Sequence, residues 1–250
     1  MGRLAGQRAL VTGAGSGIGA AIATALAAEG ATLTLVGRDA GRLAQQAALL
    51  GGAVTSVCDI TDESAVERLA ASAGDVDLLV NNAGAAESAP LERTDLALWQ
   101  RMLDVNATGA FLLCRAFAPA MVERGRGRIV NVASTAGERG YAYVSAYCAG
   151  KHALVGLTRA LALELAATSV TVNAVCPGYT ETPLLERAVE GIVTTTGRDA
   201  DAARRALVRD NAMGRFVRPE EVASAVAWLC EPAQAAVTGR TITVAGAEVV

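Results

Sequence analysis

The chain has 250 residues, of which 52% are hydrophobic and 19% are charged, and its formal net charge is −3 at pH 7. This slight negative charge provides no general electrostatic attraction to nucleic acid or to an anionic membrane. His152 is the only histidine and the five cysteines are scattered, which argues against a structural zinc site and against a Ser-His-Asp triad.

The length suits one α/β domain over residues 1–250, because neither a linker nor a repeat interrupts it. No apolar run reaches ~20 residues, so no membrane span is expected, and residues 1–4 lack the apolar stretch of a signal peptide. Scattered cysteines are typical of buried thiols in a reducing compartment. We therefore expect a cytoplasmic protein without a metal and with neither a membrane nor a nucleic acid as its partner.

A glycine-rich turn follows the first predicted strand. Residues 9–12 are apolar, residues 13–19 read GAGSGIG, and an Ala-rich helix then continues to about Ala28. Gly13 permits a tight turn, and the later glycines let the backbone approach a pyrophosphate. The helix N-terminus adds free N–H donors and a partial positive charge. Strand, turn and helix in this order favour a dinucleotide site over a plain turn.

The end of the second strand, residues 32–36, bears on the choice of cofactor. An NAD site places an acidic residue there to bind the ribose 2′-hydroxyl, but this chain has Gly37 followed by Arg38. A guanidinium can pair with a 2′-phosphate. Asp39 opposes this if it points inward, although it can equally cap the helix that starts at Ala40. The sequence favours NADP(H) over NAD(H), unless Arg38 is only a solvated loop residue.

The third and fourth strands also end in residues suited to a nucleotide. Residues 54–58 precede Asp59, which can accept a hydrogen bond from the adenine amino group, and Ile60, which can pack on the ring. Residues 78–80 run into NNAG at 81–84, where two amides and two small residues offer hydrogen bonds and space for a ribose.

A local kink is predicted in the long helix over residues 95–123. Asn106 and Gly109 interrupt its apolar face, and both weaken a helix interior. Asn106 either belongs to a site or only bonds neighbouring backbone, and its spacing does not decide between the two. The fifth strand, residues 128–132, is followed by Ser134, on the side of a parallel sheet where ligands bind.

The helix predicted over residues 145–165 carries Tyr147 and Lys151 on one face, four residues apart. A phenol titrates near about 10, and a nearby ammonium favours the phenolate and lowers that value. The pair can therefore transfer a proton, although on its own such a pair is more often without function. The sixth strand, residues 171–175, leads into CPGYTETP, which turns back over the same edge.

Residues 184–214 break the alternation of strands and helices, and we interpret them as a mobile helical lid over the substrate. The arginines of this lid either form a solvated face or meet a negatively charged part of the substrate: Arg187, Arg198, Arg204, Arg205 and Arg209. A helix over residues 219–230 and a seventh strand over residues 241–244 complete the chain.

Six motifs occur in a recognisable order: TGAGSGIG (12–19), NNAG (81–84), Asn106, Ser134, YCAGK (147–151) and PGYTET (177–182). With them the chain resembles short-chain dehydrogenases/reductases of similar length, over nearly its whole extent. The resemblance implies α/β architecture: a single Rossmann-type, doubly wound, seven-stranded parallel sheet with helices on both faces and a small helical lid. The segments STAGERGY and VNAVCPGYTETPL are most similar to the ketoreductases of fatty-acid and polyketide synthesis and to acetoacyl-CoA reductases.

The family implies an NAD(P)(H)-dependent oxidoreductase that transfers hydride between nicotinamide and a ketone or secondary alcohol. The expected substrate is a 3-oxoacyl thioester of CoA or ACP, or a similar β-keto compound. A free secondary, cyclic or steroid-like alcohol is an alternative within the same chemistry. A nicotinamide-binding regulator without turnover is a different class of protein. The presence of all four expected catalytic residues argues against it: Asn106, Ser134, Tyr147 and Lys151. The family also suggests a homotetramer built on the helices that contain Asn106 and Tyr147.

The resemblance also implies a role for each matching residue. Tyr147 would be the acid in reduction, and Lys151 would lower its pKa and hold the nicotinamide ribose. Ser134 would polarise the carbonyl, and Asn106 would hold a water that links Lys151 to solvent. Ser134, Tyr147 and Tyr179 would contact the substrate. Thr180 and Thr182 would anchor the carboxamide and phosphate. The full set of expected cofactor contacts is Gly13, Ser16, Gly17, Ile18, Gly19, Arg38, Asp39, Asp59, Ile60, Asn82, Ala83, Gly84, Tyr147, Lys151, Pro177, Gly178, Thr180 and Thr182.

Two further positions depart from the family pattern. Gly150 stands where Ala or Ser is common, inside the catalytic helix, and should cost about 1 kcal/mol of helix propensity. It either loosens the Tyr147–Lys151 geometry or admits a bulkier ligand. Residues 244–247 read VAGA, where the family often has an acidic residue and two glycines, so the C-terminal packing is expected to differ.

Overall fold

Seven parallel strands form the sheet of the computed structural model, which describes residues 2–249. They are β1 Arg8–Thr12, β2 Thr32–Gly37, β3 Val54–Val57, β4 Leu78–Asn81, β5 Gly127–Val132, β6 Val170–Pro177 and β7 Thr241–Val244. Their order across the sheet is β3-β2-β1-β4-β5-β6-β7. The chain builds outward from β1 to β3 and then in the opposite direction from β4 to β7. This confirms the predicted doubly wound sheet, and its switch point lies between β1 and β4.

Helices cover both faces of the sheet. They are α1 Gly17–Ala28, α2 Ala40–Leu49, α3 Glu63–Ala73, α4 Leu96–Leu103, α5 Gly109–Glu123, α6 Ser145–Glu164, α7 Pro183–Thr196, α8 Ala200–Val208 and α9 Pro219–Cys230. The strands are buried on both sides, so their side chains alternate between two cores. In β1, Ala9 and Val11 face the core built with α1 and α9, whereas Leu10 faces the core built with α3 and α5. All five cysteines are buried and unpaired, as expected.

Six strands differ from their predicted bounds, four of them by one added residue at one end. β3 ends at Val57, one residue earlier than predicted. β6 extends from Val170 to Pro177, because its pairing with β7 continues as far as Pro177 opposite Val244. The longer β6 carries the PGYTET segment further along the edge of the sheet where the strands end.

The predicted kink near Asn106 is a π-helical turn over Asp104–Thr108, which joins α4 to α5. The Asn106 amide donates to the Met102 carbonyl at 3.0 Å, within the same helical run. Gly109 follows the turn, and a Cβ there would lie 2.5 Å from Ile60 Cδ1. The kink and the glycine together let the helix pass close to the loop after β3.

The helical run Leu96–Glu123 is 28 residues long, has a mean hydropathy of 1.4 over its most apolar window, and passes a membrane-span criterion of length and composition. Polar and charged residues such as Arg101, Asp104 and Asn106 interrupt this run, so it is not the uninterrupted apolar stretch that was expected to be absent. Half of that window is buried inside the protein, and Leu113, Phe117 and Met121 belong to the core under the sheet. This run is a core helix of the domain.

Gly150 is a contact point between helices rather than an opening for a ligand. A Cβ at this position would lie 2.9 Å from the Met102 carbonyl oxygen and 3.2 Å from Asn106 Cβ. The expectation of room for a bulkier ligand was wrong, because backbone of α4 and the π turn occupies that space. The glycine therefore sets how closely α6 approaches these two elements.

We predict that Gly150→Ala destabilises the protein. Alanine gains about 1 kcal/mol of helix propensity, but the clash with a backbone oxygen costs about 1–3 kcal/mol, so the clash should prevail. Gly156→Ala is the matched control, because Gly156 lies in the same helix and a Cβ there would meet no neighbouring atom within 4 Å. The midpoint of urea unfolding should fall for the first variant and stay level or rise for the second. A rise for both would show that the contact can relax.

Candidate active site

The carboxyl ends of four neighbouring strands bring the predicted motifs together. The glycine turn follows β1, NNAG closes β4, Ser134 follows β5, and PGYTET closes β6. Helix α6 crosses this edge, and the Lys151 ammonium donates to the Val132 carbonyl at the end of β5, at 2.9 Å. Residues that are far apart in the sequence therefore meet at the switch point of the sheet.

The glycine turn forms a cradle that side chains would fill. Gly13 and Gly17 have φ angles of 64° and 54°, which favour glycine. A Cβ at Gly19 would lie 2.2 Å from the Gly13 carbonyl oxygen, so only glycine fits at this position in the first turn of α1. Ser16 caps α1 with its backbone alone, which leaves its hydroxyl and the first N–H groups of the helix available to an anion. Ile18 is half-buried beside them.

Thr182 belongs to the same cradle, although it is far away in the sequence. Its Cγ2 lies 3.1 Å from the Cβ position of Gly17, which places PGYTET against the glycine turn. The Thr182 hydroxyl accepts from Leu185 N and caps α7. Thr180 is buried, and its hydroxyl donates to the Gly178 carbonyl at 2.9 Å. These two threonines therefore stiffen the loop, and Thr182 also faces the cradle.

Thr12, for which the sequence predicted no separate role, ties the ends of β1 and β4 together. Its buried hydroxyl accepts from Asn82 N and from Ala83 N, both at 3.0 Å, and donates to the Val80 carbonyl. The Asn82 amide donates back to the Thr12 carbonyl at 2.9 Å. A threonine at the end of an otherwise apolar strand was the signal that pointed to such a role.

The two amides of NNAG are used inside the protein. Asn82 is bonded to the glycine turn, and Asn81 donates to Asn131 at 2.8 Å. Asn131 in turn donates to the Thr158 hydroxyl on α6 at 2.8 Å. The two side-chain amides therefore cross-link the strand ends, and contact between Asn82 and a cofactor ribose stays a prediction.

Asn106, Gly84 and Lys151 converge on one small volume. The Asn106 amide donates to the Ala85 carbonyl at 2.8 Å, and its oxygen accepts from Ala85 N at 3.3 Å. A Cβ on Gly84 would lie 2.9 Å from Asn106 Oδ1 and 3.4 Å from Lys151 Nζ. Asn106 therefore bonds neighbouring backbone, which was one of its two interpretations. It also lies beside Lys151, which is compatible with the other, a place in the site.

Lys151 and Tyr147 lie close together, but the pKa of each side chain is shifted mainly by its own burial. Nζ lies 5.8 Å from the centroid of the Tyr147 ring. Burial lowers the pKa of Lys151 to about 8. Burial also raises the pKa of Tyr147 to about 12, and hydrogen bonding by Ser134 opposes this only in part. Lys151 was expected to lower the pKa of Tyr147, but burial is the larger influence and the pKa is raised instead.

At the adenosine end, Arg38 is exposed and Asp39 turns away from the sheet. The Asp39 carboxylate accepts from Arg42 N at 3.0 Å, which caps α2, and it pairs with the Arg42 guanidinium at 3.3 Å. Asp59 accepts from Thr61 N and from the Thr61 hydroxyl, and the first of these bonds chiefly lowers its pKa. Ile60 is buried against Gly109, so the expectation that its side chain packs on an adenine ring was wrong.

The substrate side is bounded by two tyrosines and by the predicted lid. The rings of Tyr141 and Tyr179 meet edge-on, with centroids 6.4 Å apart. The segment predicted to be a lid contains α7 and α8, which confirms its helical character, and its closure over the substrate stays a prediction. Arg204 pairs with Glu186 across these helices, and Arg209 pairs with Asp210 at 3.3 Å. The other three lid arginines are exposed, which fits a solvated face: Arg187, Arg198 and Arg205. Within residues 2–249, no cluster of His, Cys, Asp and Glu is arranged to hold a metal ion.

The chain is similar to known oxidoreductases. A family model described as short chain dehydrogenase matches residues 7–192. A Streptomyces violaceoruber protein assigned as ketoacyl reductase 1 of granaticin polyketide synthase is 42% identical over 95% of this chain and 91% of its own. Galactitol 2-dehydrogenase (L-tagatose-forming) of Cereibacter sphaeroides is 41% identical over 98% of this chain and 95% of its own. A variant of actinorhodin polyketide ketoreductase, solved with NADPH, has a TM-score of 0.93 at 38% identity and matches over 98% of both chains.

We predict that Thr12→Val weakens both the fold and the binding of a dinucleotide. Valine has nearly the shape of threonine but leaves the buried N–H groups of Asn82 and Ala83 without an acceptor, at about 1–3 kcal/mol for each lost partner. Thr12→Ser keeps the hydroxyl and is the matched control. The free energy of unfolding and the Kd for a reduced nicotinamide cofactor, measured by fluorescence, should both worsen for valine and change little for serine. Equal behaviour of the two variants would remove Thr12 from this role.

Proposed function

The chain belongs to the short-chain dehydrogenase family, and on that basis we propose that it is an NADPH-dependent ketoreductase of 3-oxoacyl thioesters, of CoA or ACP, or of similar β-keto compounds. Members of the family catalyse hydride transfer between a nicotinamide and a ketone or secondary alcohol, which sets the reaction class of this enzyme. The observation that carries the proposal is the meeting of Ser134, Tyr147 and Lys151 beside the glycine cradle.

Tyr147 is the acid in the direction of reduction. A pKa of about 12 keeps its hydroxyl protonated at neutral pH, so it has a proton to give to the carbonyl oxygen. The Ser134 hydroxyl oxygen accepts from Ala136 N, and its proton is directed toward Tyr147, where it can polarise the same carbonyl oxygen. When bound, the nicotinamide supplies the hydride that the carbonyl carbon receives.

Lys151 and Asn106 support that proton transfer. With a pKa of about 8, Lys151 is largely an ammonium at neutral pH, and it opposes the negative charge left on Tyr147. Its remaining donors hold the hydroxyls of the nicotinamide ribose. Asn106, fixed by the Ala85 and Met102 backbone, keeps a water beside Lys151 through which protons are replaced.

NADP(H) is the proposed cofactor in preference to NAD(H). Gly37 leaves the end of β2 without an acidic side chain, and Asp39 is occupied by α2 and Arg42. Arg38 is exposed at the same strand end, where a guanidinium can pair with a 2′-phosphate. The presence of NADPH in the actinorhodin ketoreductase structure gives this preference further support.

The substrate assignment rests on the relatives and on the site. The granaticin and actinorhodin relatives are ketoreductases of polyketide synthesis, which favours a β-keto thioester. The exposed lid arginines can meet the phosphate of such a thioester carrier. The galactitol dehydrogenase relative supports a second candidate, the oxidation of a free secondary alcohol by the same residues. A regulator without turnover has less support, because binding alone needs neither Ser134 nor Asn106.

We also propose a homotetramer in the cytoplasm. Ala107, Phe111, Ala153 and Leu157 line an open apolar groove between the Asn106-containing helical run and α6, and the Phe111 side chain is 43% exposed. Apolar surface of this kind is typical of an interface between subunits. Five buried, unpaired cysteines are compatible with a reducing compartment.

A substrate screen tests the proposed function. NADPH and NADH, each with acetoacetyl-CoA, a cyclic ketone and a simple ketone, should give oxidation of the nicotinamide, fastest with NADPH and the thioester. The reverse assay uses NADP⁺ or NAD⁺ with galactitol and simple secondary alcohols. Turnover confined to alcohols with NAD⁺ would favour the second candidate. Cofactor binding without turnover on any substrate would contradict the enzymatic proposal.

We predict that Tyr147→Phe lowers kcat by at least ~100-fold, because a general acid contributes about that much or more. The Kd for NADPH should change less than ~2-fold, since only one hydroxyl is removed. Tyr143→Phe is the matched control, because Tyr143 is 69% exposed and the substitution deletes the same atom four residues away. Substantial kcat in Tyr147→Phe would remove Tyr147 from its role.

We predict that Arg38→Ala raises the KM for NADPH ~10-fold or more and leaves the KM for NADH within ~2-fold, because only NADPH carries a 2′-phosphate to pair with the guanidinium. Arg68→Ala removes a comparably exposed arginine on α3 and should affect neither cofactor. Equal effects of Arg38→Ala on both cofactors would show that Arg38 does not read the 2′-phosphate.

A further inference from the structure

A buried carboxylate at the C-terminal end of the chain faces the substrate side of the site. Glu248 is 7% exposed, and its side chain contacts two other segments, the loop after β5 and the loop after β6. A carboxylate is costly to bury unless it accepts hydrogen bonds or pairs with a cation. None of the roles proposed above involves Glu248, so its function has to follow from the residues that it contacts.

A tight turn after β7 delivers this residue. Gly246 and Ala247 have φ angles of 57° and 61°, and Glu248 N donates to the Ala245 carbonyl at 3.1 Å. The left-handed region is unfavourable for alanine, so the surrounding structure has to hold Ala247 there. The Gly246 carbonyl accepts from Ala212 N at 2.9 Å, which fastens the turn to the end of the lid.

The partners of Glu248 lie on the loop that carries Ser134. The Tyr141 hydroxyl donates to Glu248 Oε1, and the Thr135 hydroxyl lies 3.4 Å from the same oxygen. Tyr141 and Thr135 are themselves joined at 2.9 Å, and Thr135 is the immediate neighbour of Ser134. Arg139 adds charge compensation, with its guanidinium 3.7 Å from Oε1 and 3.1 Å from Asp210 at the end of the lid.

The second carboxylate oxygen faces the cofactor loop. A Cβ on Gly178 would lie 2.5 Å from Glu248 Oε2, so this oxygen rests against the backbone that precedes Tyr179. Tyr179 in turn meets the Tyr141 ring edge-on. Glu248 therefore contacts both sides of the aromatic pair that bounds the substrate side.

We propose that Glu248 is a positioning residue: its carboxylate holds Thr135 beside Ser134 and holds Tyr141 against Tyr179, which fixes the wall of the substrate site. This proposal rests on the proposed roles of Ser134 and Tyr179. It predicts that losing the carboxylate impairs the use of the ketone more than the binding of the cofactor, because Glu248 touches the cofactor loop only at Gly178 and the glycine cradle is built from other residues.

The test compares Tyr141→Phe, Glu248→Leu, Glu248→Gln and the double variant Tyr141→Phe/Glu248→Leu. Tyr141→Phe deletes the donor alone and Glu248→Leu deletes the acceptor, so each should lower kcat/KM for the ketone by ~10-fold, the worth of one charge-assisted hydrogen bond. The Kd for NADPH should stay within ~2-fold. Glu248→Gln keeps an oxygen for Tyr141 and should retain most of the activity. The double variant should be no worse than the poorer single variant, because both remove the same interaction.

Glu29→Gln is the matched control, since Glu29 also pairs with an arginine but lies far from the site, and its kinetics should equal those of the unmodified chain. Unchanged kcat/KM in Tyr141→Phe, or full additivity in the double variant, would overturn the proposal. If Glu248→Leu does not fold, the kcat/KM values of Tyr141→Phe and Glu248→Gln still test the proposal.

Hydrogen exchange separates a failure of this proposal from a failure of the proposed function. Even if the unmodified chain reduces no ketone, Tyr141→Phe should speed amide exchange in residues 134–141 and 178–181 and leave α9 unchanged. Unchanged exchange in both segments would show that the carboxylate does not hold them, whatever the enzyme's substrate is.

Discussion

A buried ammonium sets the geometry of this active site. Lys151 is 5% exposed, and an ammonium is costly to bury unless its donors find acceptors. One donor goes to the Val132 carbonyl at the end of β5, which binds α6 to the edge of the sheet. This approach needs Gly150 against α4 and Gly84 beside Asn106, because a Cβ at either position would collide with a neighbouring oxygen. Helix α6 can therefore pack this closely because Gly150, within the helix, and Gly84, beside it, have no side chains.

The cofactor cradle and the catalytic residues share this sheet edge. The Thr12 hydroxyl joins β1 to β4, and the Asn81–Asn131–Thr158 amide chain continues across β5 to α6. A disturbance at the glycine turn is therefore expected to reach the catalytic helix through hydrogen bonds between buried groups. The proposed substrate wall, formed by Tyr141 and Tyr179, is joined to the same edge by the hydrogen bond between Tyr141 and Thr135. The proposed binding of the cofactor, the proposed proton transfer and the proposed substrate contact would all depend on one set of strand ends.

Local spacing was enough to predict much of this structure. The alternation of apolar strands with Ala-rich helices predicted an α/β domain, and the family resemblance implied its doubly wound sheet. Asn106 with Gly109 predicted the interruption that is a π turn. Four-residue spacing placed Tyr147 and Lys151 on one face. These features follow from short-range chemistry, in which each residue constrains a backbone only a few positions away.

The features that the sequence did not reveal depend on partners far along the chain. Glu248 finds Tyr141 across 107 residues, and Thr12 finds Asn82 across 70. Ile60 was predicted to pack on adenine, but its side chain fills the gap beside Gly109. The pKa of Tyr147 was predicted to fall, yet it is raised, because burial penalises the charged phenolate. Long-range packing decided each of these points.

The most direct test of the buried ammonium is the pH dependence of kcat/KM for NADPH at saturating ketone, which reports the groups of the free enzyme. Burial lowers the Lys151 pKa to about 8, so the ammonium is present below that pH and lost above it. Tyr147, with a pKa of about 12, stays protonated throughout and adds nothing to the change. We expect kcat/KM to fall as the pH rises through about 8. A profile that stays flat up to the ordinary lysine value of 10.5 would contradict the central role of the buried ammonium.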